Sequence, residues 1–125
     1  MWNVILVAAG GALGSVLRYG TGLAATRMLG AGFPWGTLIV NVAGSFVIGL
    51  FIEMIARRFE ASEPLRLLLV TGFLGGFTTF SSFSLDAMAL IERGATGLAL
   101  LYMAASFGLS LLAVAAGLAL ARTVL

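Results

Sequence analysis

Two adjacent glycines, Gly75 and Gly76, stand ahead of five hydroxyls, Thr78, Thr79, Ser81, Ser82 and Ser84, within a stretch otherwise made of phenylalanine and leucine. Each glycine is roughly 1 kcal/mol worse than alanine in a helix interior. The pair followed by a hydroxyl run therefore predicts a break near the middle of a long apolar segment, at Leu74-Gly75-Gly76-Phe77-Thr78-Thr79, with ordinary helix from Leu67 to Phe73 and a restart at Phe80. Carbonyls freed at such a break could coordinate a cation. Glycine used only for close helix packing is the competing explanation.

Two further polar rows flank this segment in sequence. Thr37, Asn41 and Ser45 recur every four residues, which places them on one helical face. An unpaired amide in hydrocarbon costs several kcal/mol, so Asn41 faces either a partner helix or a water-filled path. Tyr102, Ser106 and Ser110 repeat the spacing further on. Two rows of neutral donors and a hydroxyl-rich break suggest a lined pathway for a small anion that must be bound yet released. Arg18, one turn after Gly14, either attracts anions at a vestibule or snorkels to the interface. Glu53 can pair with Arg57 one turn on. Asp86 is costly in a membrane unless paired or functional.

The elements that must position these residues follow from composition. The chain of 125 residues is 61% hydrophobic and only 10% charged, with mean hydropathy +1.12. A soluble domain carries about 25% charged residues, so lipid is the natural solvent for this surface. Four stretches meet the length of about 20 apolar residues that spanning requires, roughly 3–26, 36–56, 65–91 and 96–121. The connections are Gly30 to Pro34, Arg58 to Pro64, and Glu92-Arg93-Gly94. The expected fold class is an all-α membrane protein of four transmembrane helices, one domain over 1–125. The first segment lacks a basic leader and a clear small-residue cleavage site, so it reads as a retained helix.

Several function classes are excluded. Without cysteine there is no disulfide or thiolate chemistry, and without histidine the commonest metal ligand and general base are missing. No nucleophile–base constellation is visible, so an enzyme is not expected. The isoelectric point near 9.9 does not imply nucleic acid, because the seven basic residues are scattered arginines with one pair, Arg57-Arg58.

Arginine also bears on orientation. The face holding both termini carries Arg57, Arg58, Arg66 and Arg122, and the opposite face carries Arg18, Arg27 and Arg93. This bias is weak for the positive-inside rule. It fits a chain that inserts both ways and pairs as an antiparallel dimer, or one whose orientation is set by a partner.

Three stretches together resemble the CrcB/Fluc family of fluoride channels: GGALGSVLRY at 10–19, GTLIVNVAGSFVIGL at 36–50 and GFLGGFTTFSSFS at 72–84. The specific part is VN-x-x-GS joined to GG-x-TTFS-x-F, and the likeness extends over the whole chain. The resemblance implies a dual-topology antiparallel homodimer in the cell inner membrane, with two fluoride pores. It implies a structural sodium ion held by the carbonyls of Gly75 and Thr78 where the broken third helix meets its copy. It assigns Phe80 and Phe83 as paired pore phenylalanines and Asn41 as the pore asparagine. Tyr102, Ser106 and Ser110 become the polar row, with Thr37 and Ser82 beside the path and Arg18 at the anion vestibule. The family often has threonine where this chain has Ser82, which keeps the hydroxyl. A proton-coupled small multidrug exporter is the alternative. That class relies on a glutamate in its first helix, and this first segment has no acidic residue. A non-conducting scaffold subunit would explain the glycines but not the polar rows.

Overall fold

The computed structural model describes residues 1–125. Four apolar rods are present. Helix α1 spans Trp2–Leu29 and α2 spans Trp35–Arg58. The third rod is divided: α3 runs over 63–77, and α4 over Phe80–Glu92. The last rod, α5, spans Thr96–Val124. At 1.5 Å per residue the 28 residues of α1 are about 42 Å long, enough to cross a hydrocarbon core of about 30 Å. All four rods are long and apolar enough to cross a membrane. The observed ends lie within three residues of the expected spans.

Only 17 of 125 residues are buried within the chain, so packing rests on a few close seams rather than on a broad core. The first seam joins α1 to α3 backbone to backbone. A Cβ on Gly76 would stand 2.5 Å from the Gly11 carbonyl, and one on Gly72 would stand 2.8 Å from the Val7 carbonyl. Gly10 and Gly14 face Leu68, Gly72, Phe73 and Phe77 main chain with no room for any side chain. The small-xxx-small pair Gly10 and Gly14 thus makes the close helix contact expected of it. The second seam joins α2 to α5. A Cβ on Gly49 would lie 2.6 Å from the Val114 carbonyl, and Gly117 abuts Phe46 and Leu50 in the same way. At one end of this seam Glu53 ties the helices together, accepting from Arg57 Nε at 2.9 Å and from Arg122 Nε at 2.8 Å. At the far end Arg93 donates to the Gly32 carbonyl, linking the two loops there.

The third rod departs from expectation in two ways. Leu67–Leu74 is a π-helix and not ordinary α-helix; at its end the Gly75 N–H reaches the Val70 carbonyl five residues back. This wide stretch lies where α1 approaches the main chain most closely, so tertiary packing overrides the local preference of an apolar run. The break itself falls at Thr78 and Thr79, both extended at φ −88°, ψ 159° and φ −154°, ψ 122°. The glycines are not the break. Gly75 is helical at φ −60°, ψ −37°, and Gly76 serves the seam with α1. The position near the middle of the span is as expected, but the cause lies with the threonines. The Thr78 hydroxyl and N–H both donate to the Leu74 carbonyl, at 2.8 and 2.9 Å. Such back-bonding bends helices.

Candidate functional site

Thr79 is the pivot between α3 and α4. Its hydroxyl caps α4 by accepting from the Ser82 N–H at 3.1 Å, the usual role of threonine at a helix start. Its main chain is held by one side chain from α2. Asn41 Oδ1 accepts from the Thr79 N–H at 2.8 Å, and Asn41 Nδ2 donates to the Thr79 carbonyl at 3.0 Å. Leaving either group unpaired in a dry setting would cost about 1–3 kcal/mol. The requirement that Asn41 find a partner is met here. The sequence marks Thr79 as the last residue of the break but not as the residue that Asn41 holds, although a threonine just before an apolar helical run is a recognisable cap signal. The methyl of Thr78 fills the space left by Gly44 on α2.

The break changes which carbonyls are free. In an unbroken helix the Gly75 carbonyl would accept from the Thr79 N–H, which instead goes to Asn41. The Thr78 carbonyl would accept from the Ser82 N–H, which instead goes to Thr79 Oγ1. The Gly76 carbonyl accepts from Arg18 Nε at 3.0 Å. The end of α3 therefore presents carbonyl oxygens, and the start of α4 presents N–H groups. By the helix dipole the first favours a cation and the second an anion. No group of three or more His, Cys, Asp or Glu side chains is assembled anywhere, and the oxygens at the break are main-chain carbonyls and the Thr78 and Thr79 hydroxyls. Gly75 is exposed, and a Cβ there would meet nothing nearer than the Val70 carbonyl at 3.8 Å. Nothing inside the chain requires glycine at this position.

Two grooves flank the break and share Thr79 alone. The first has a volume of about 430 Å³. It brings together Asn41, Ser45, Gly75, Thr78, Phe80, Phe83, Ser106 and Ser110, and no charged side chain lines it. Phe80 and Phe83 share a face of α4, with ring centroids 5.6 Å apart at 44°, within the range of aromatic pairs. Phe80 is 79% exposed. Ser106 Oγ is buried with no hydrogen-bond partner, an unusual state for a hydroxyl away from water.

The second groove has a volume of about 590 Å³ and is lined by Arg18, Thr37, Ser82 and Asp86, among others. Thr37 thus falls away from Asn41 and Ser45, on the other side of the pivot. Tyr102 lines neither groove. Its side chain is fully buried, and its hydroxyl donates to Asp86 Oδ2 at 3.1 Å. Its ring backs Phe83 at 5.2 Å and stands perpendicular to Phe33 at 5.4 Å. Asp86 is therefore paired. Of the row Tyr102, Ser106 and Ser110, only the two serines reach the groove.

Four long apolar rods, one of them broken where a neutral polar groove and main-chain oxygens meet, define a multi-pass membrane protein. The chain belongs to the family described as CrcB-like protein, Camphor Resistance (CrcB), which matches residues 5–118. It is 65% identical over 122 residues to the fluoride-specific ion channel FluC of Rhizobium johnstonii, covering 98% of each chain. It is 62% identical, again over 98% of each, to the protein of that name from Agrobacterium fabrum. The FluC of Chelativorans sp. strain BNC1 is 56% identical over the full length of both. As a multi-pass protein of this family, the chain resides in the inner membrane.

Proposed function

We infer that this chain, as a single four-helix domain over 1–125, is a fluoride-selective channel and not an enzyme, one that lets fluoride leave the cytoplasm down its gradient. Hydrofluoric acid enters cells as a neutral weak acid and dissociates inside, so an anion path relieves the trapped ion. The carrying observation is the neutral groove, where the unpartnered Ser106 hydroxyl sits with Ser110, Phe80 and Phe83. Fluoride is a strong hydrogen-bond acceptor, and hydroxyl donors replace its lost water. Phenyl rings present a positive edge, which attracts the anion without holding it as an arginine would. Arg18, Thr37 and Ser82 in the second groove form the vestibule side of the path, where Arg18 raises the local anion concentration. Tyr102 contributes from behind, as the support of the Phe83 ring.

The working unit is an antiparallel homodimer of dual topology. Support comes from the weak arginine bias, the exposed Phe80 ring and the open Gly75. The carbonyls of Gly75 and Thr78 from the two subunits would hold one sodium ion, whose charge would fix the two breaks against each other. Fluoride efflux from liposomes that contain only this protein tests the reading. Rapid fluoride release with chloride retained is expected; no release above protein-free liposomes overturns it. For the dimer, terminal tags should report both orientations in cells. Every terminus on one membrane face would refute dual topology. The exporter alternative has no support in the structure, since α1 carries no acidic residue.

A further inference from the structure

We propose that Asn41 is a positioning residue for the cation-binding break: by holding the main chain of Thr79 it keeps the Gly75 carbonyl free of its helical donor. This rests on the sodium reading given above. Two arrangements compete for one N–H. In the first, the Thr79 N–H donates to the Gly75 carbonyl, the third rod closes through the break, and that oxygen is lost to an ion. In the second, the same N–H donates to Asn41 Oδ1 at 2.8 Å, and the oxygen stays available. Asn41 Nδ2 secures the second arrangement by taking the Thr79 carbonyl at 3.0 Å.

The carbonyl half of the clasp sets this helix start apart. The cap carbonyls of Met1, Pro34, Ser62 and Ala95 each accept the N–H four residues on. At Thr79 no backbone N–H arrives, and Asn41 alone supplies the donor. Both amide atoms of Asn41 are therefore committed to the break. An anion ligand needs only the donor end; the acceptor end, Oδ1, has no use toward fluoride. Its engagement with the Thr79 N–H is the part of the geometry that a pore role does not explain. Rigid attachment of α3 to α1 through Gly76, with Arg18 on the Gly76 carbonyl, holds the N-terminal side of the break while Asn41 holds the other.

The experiment reads sodium, not flux. Thermal melting of the purified dimer is followed in sodium chloride and in N-methylglucamine chloride, since a bound ion raises the midpoint by mass action. Wild-type protein should melt higher in sodium. Asn41→Asp should keep only part of that sodium increment, because its carboxylate still accepts from the Thr79 N–H but supplies no donor to the Thr79 carbonyl. Asn41→Leu, of similar size and with no acceptor, should lose the increment. An equal sodium increment in wild type and Asn41→Leu overturns the proposal while leaving the sodium site intact. No increment in wild type removes the sodium reading itself. If Asn41→Leu does not assemble, sodium titration of ¹⁵N-labelled wild type decides. The Thr79 amide and the Asn41 side-chain amide should shift together and saturate together; unmoved signals at both overturn the coupling.

Discussion

The two grooves beside the break are built from opposite materials. The larger carries Arg18 and Asp86; the smaller has neutral hydroxyls, one amide and three phenyl rings, and no charge. They touch only through Thr79. The contrast separates two physical tasks. A formal charge gathers ions from water at a distance, but at close range it would hold an anion too firmly for passage. Neutral donors compensate for lost hydration and still let the ion go. On the function proposed above, a path from Arg18 past Asn41 and Ser106 would perform the two tasks in sequence.

Placing a negative charge in the neutral groove should have the largest effect. Two unit charges 4 Å apart repel by about 4 kcal/mol at an effective dielectric constant of 20. Asn41→Asp should thus cut fluoride flux by roughly a thousandfold on that estimate, as read by fluoride electrode in liposomes. Flux near wild type would mean that anions do not pass this groove.

The phenyl rings come next. Phe80→Leu and Phe83→Leu keep much of the volume but remove the positive edge. The aromatic contribution beyond burial is about 0.5–1.5 kcal/mol, so flux should fall by up to about tenfold for each on that scale, with the melting midpoint nearly unchanged. If the rings were only packing, Phe→Leu would be harmless to flux. Phe83→Ala should also destabilise, by about 3–5 kcal/mol if its site cannot collapse. Wild-type flux in both leucine variants would remove the aromatic part of the comparison.

The adjacent glycines sharpen it further. Gly76→Ala drives a methyl into the Gly11 carbonyl, and overpacking of this kind costs about 1–3 kcal/mol. Gly75→Ala meets nothing inside the chain, so the single protomer tolerates it. A bulky residue at Gly75 should instead weaken dimerisation or its sodium dependence, and should matter more than Thr78→Ala. Size-exclusion profiles in detergent, with and without sodium, check the order. The smallest effect belongs to the charged groove. Arg18→Gln should reduce flux a few-fold at low ionic strength and less at high, as screening predicts. Equal ratios at both salt levels would show that Arg18 acts through its bond to Gly76 and not as a long-range attractor.

Much of this was legible in the residues. Hydropathy and length placed four spans to within three residues of the observed ends, because lipid imposes one strong constraint on every spanning segment. The hydroxyl run after Gly75-Gly76 marked the correct region for the break. The clasp that holds it open was hidden, since it joins Asn41 to a residue 38 positions away and side-chain spacing carries no record of that pairing. The π-helix at Leu67–Leu74 was likewise hidden, because an apolar run looks the same with either hydrogen-bond pattern. Tyr102 shares its helical row with Ser106 and Ser110, yet it points at Asp86, 16 residues away in sequence. Periodicity identifies a face; it does not say what stands opposite each residue on that face.

The glycine seams also set a timetable for biosynthesis. They join α1 to α3 and α2 to α5, so each pairs a helix with one made later and not with its neighbour in sequence. A nascent chain that has inserted its first two rods holds two unfilled glycine grooves. The α1 groove is occupied only when residues 68–77 arrive, and the α2 groove only with Gly117 and its surroundings. The first two rods must therefore be stable in lipid without either seam, meeting each other at Gly22 and Gly36. Chains halted before Thr96 should keep three spans but leave Gly49 facing lipid, an obvious mark for membrane quality control.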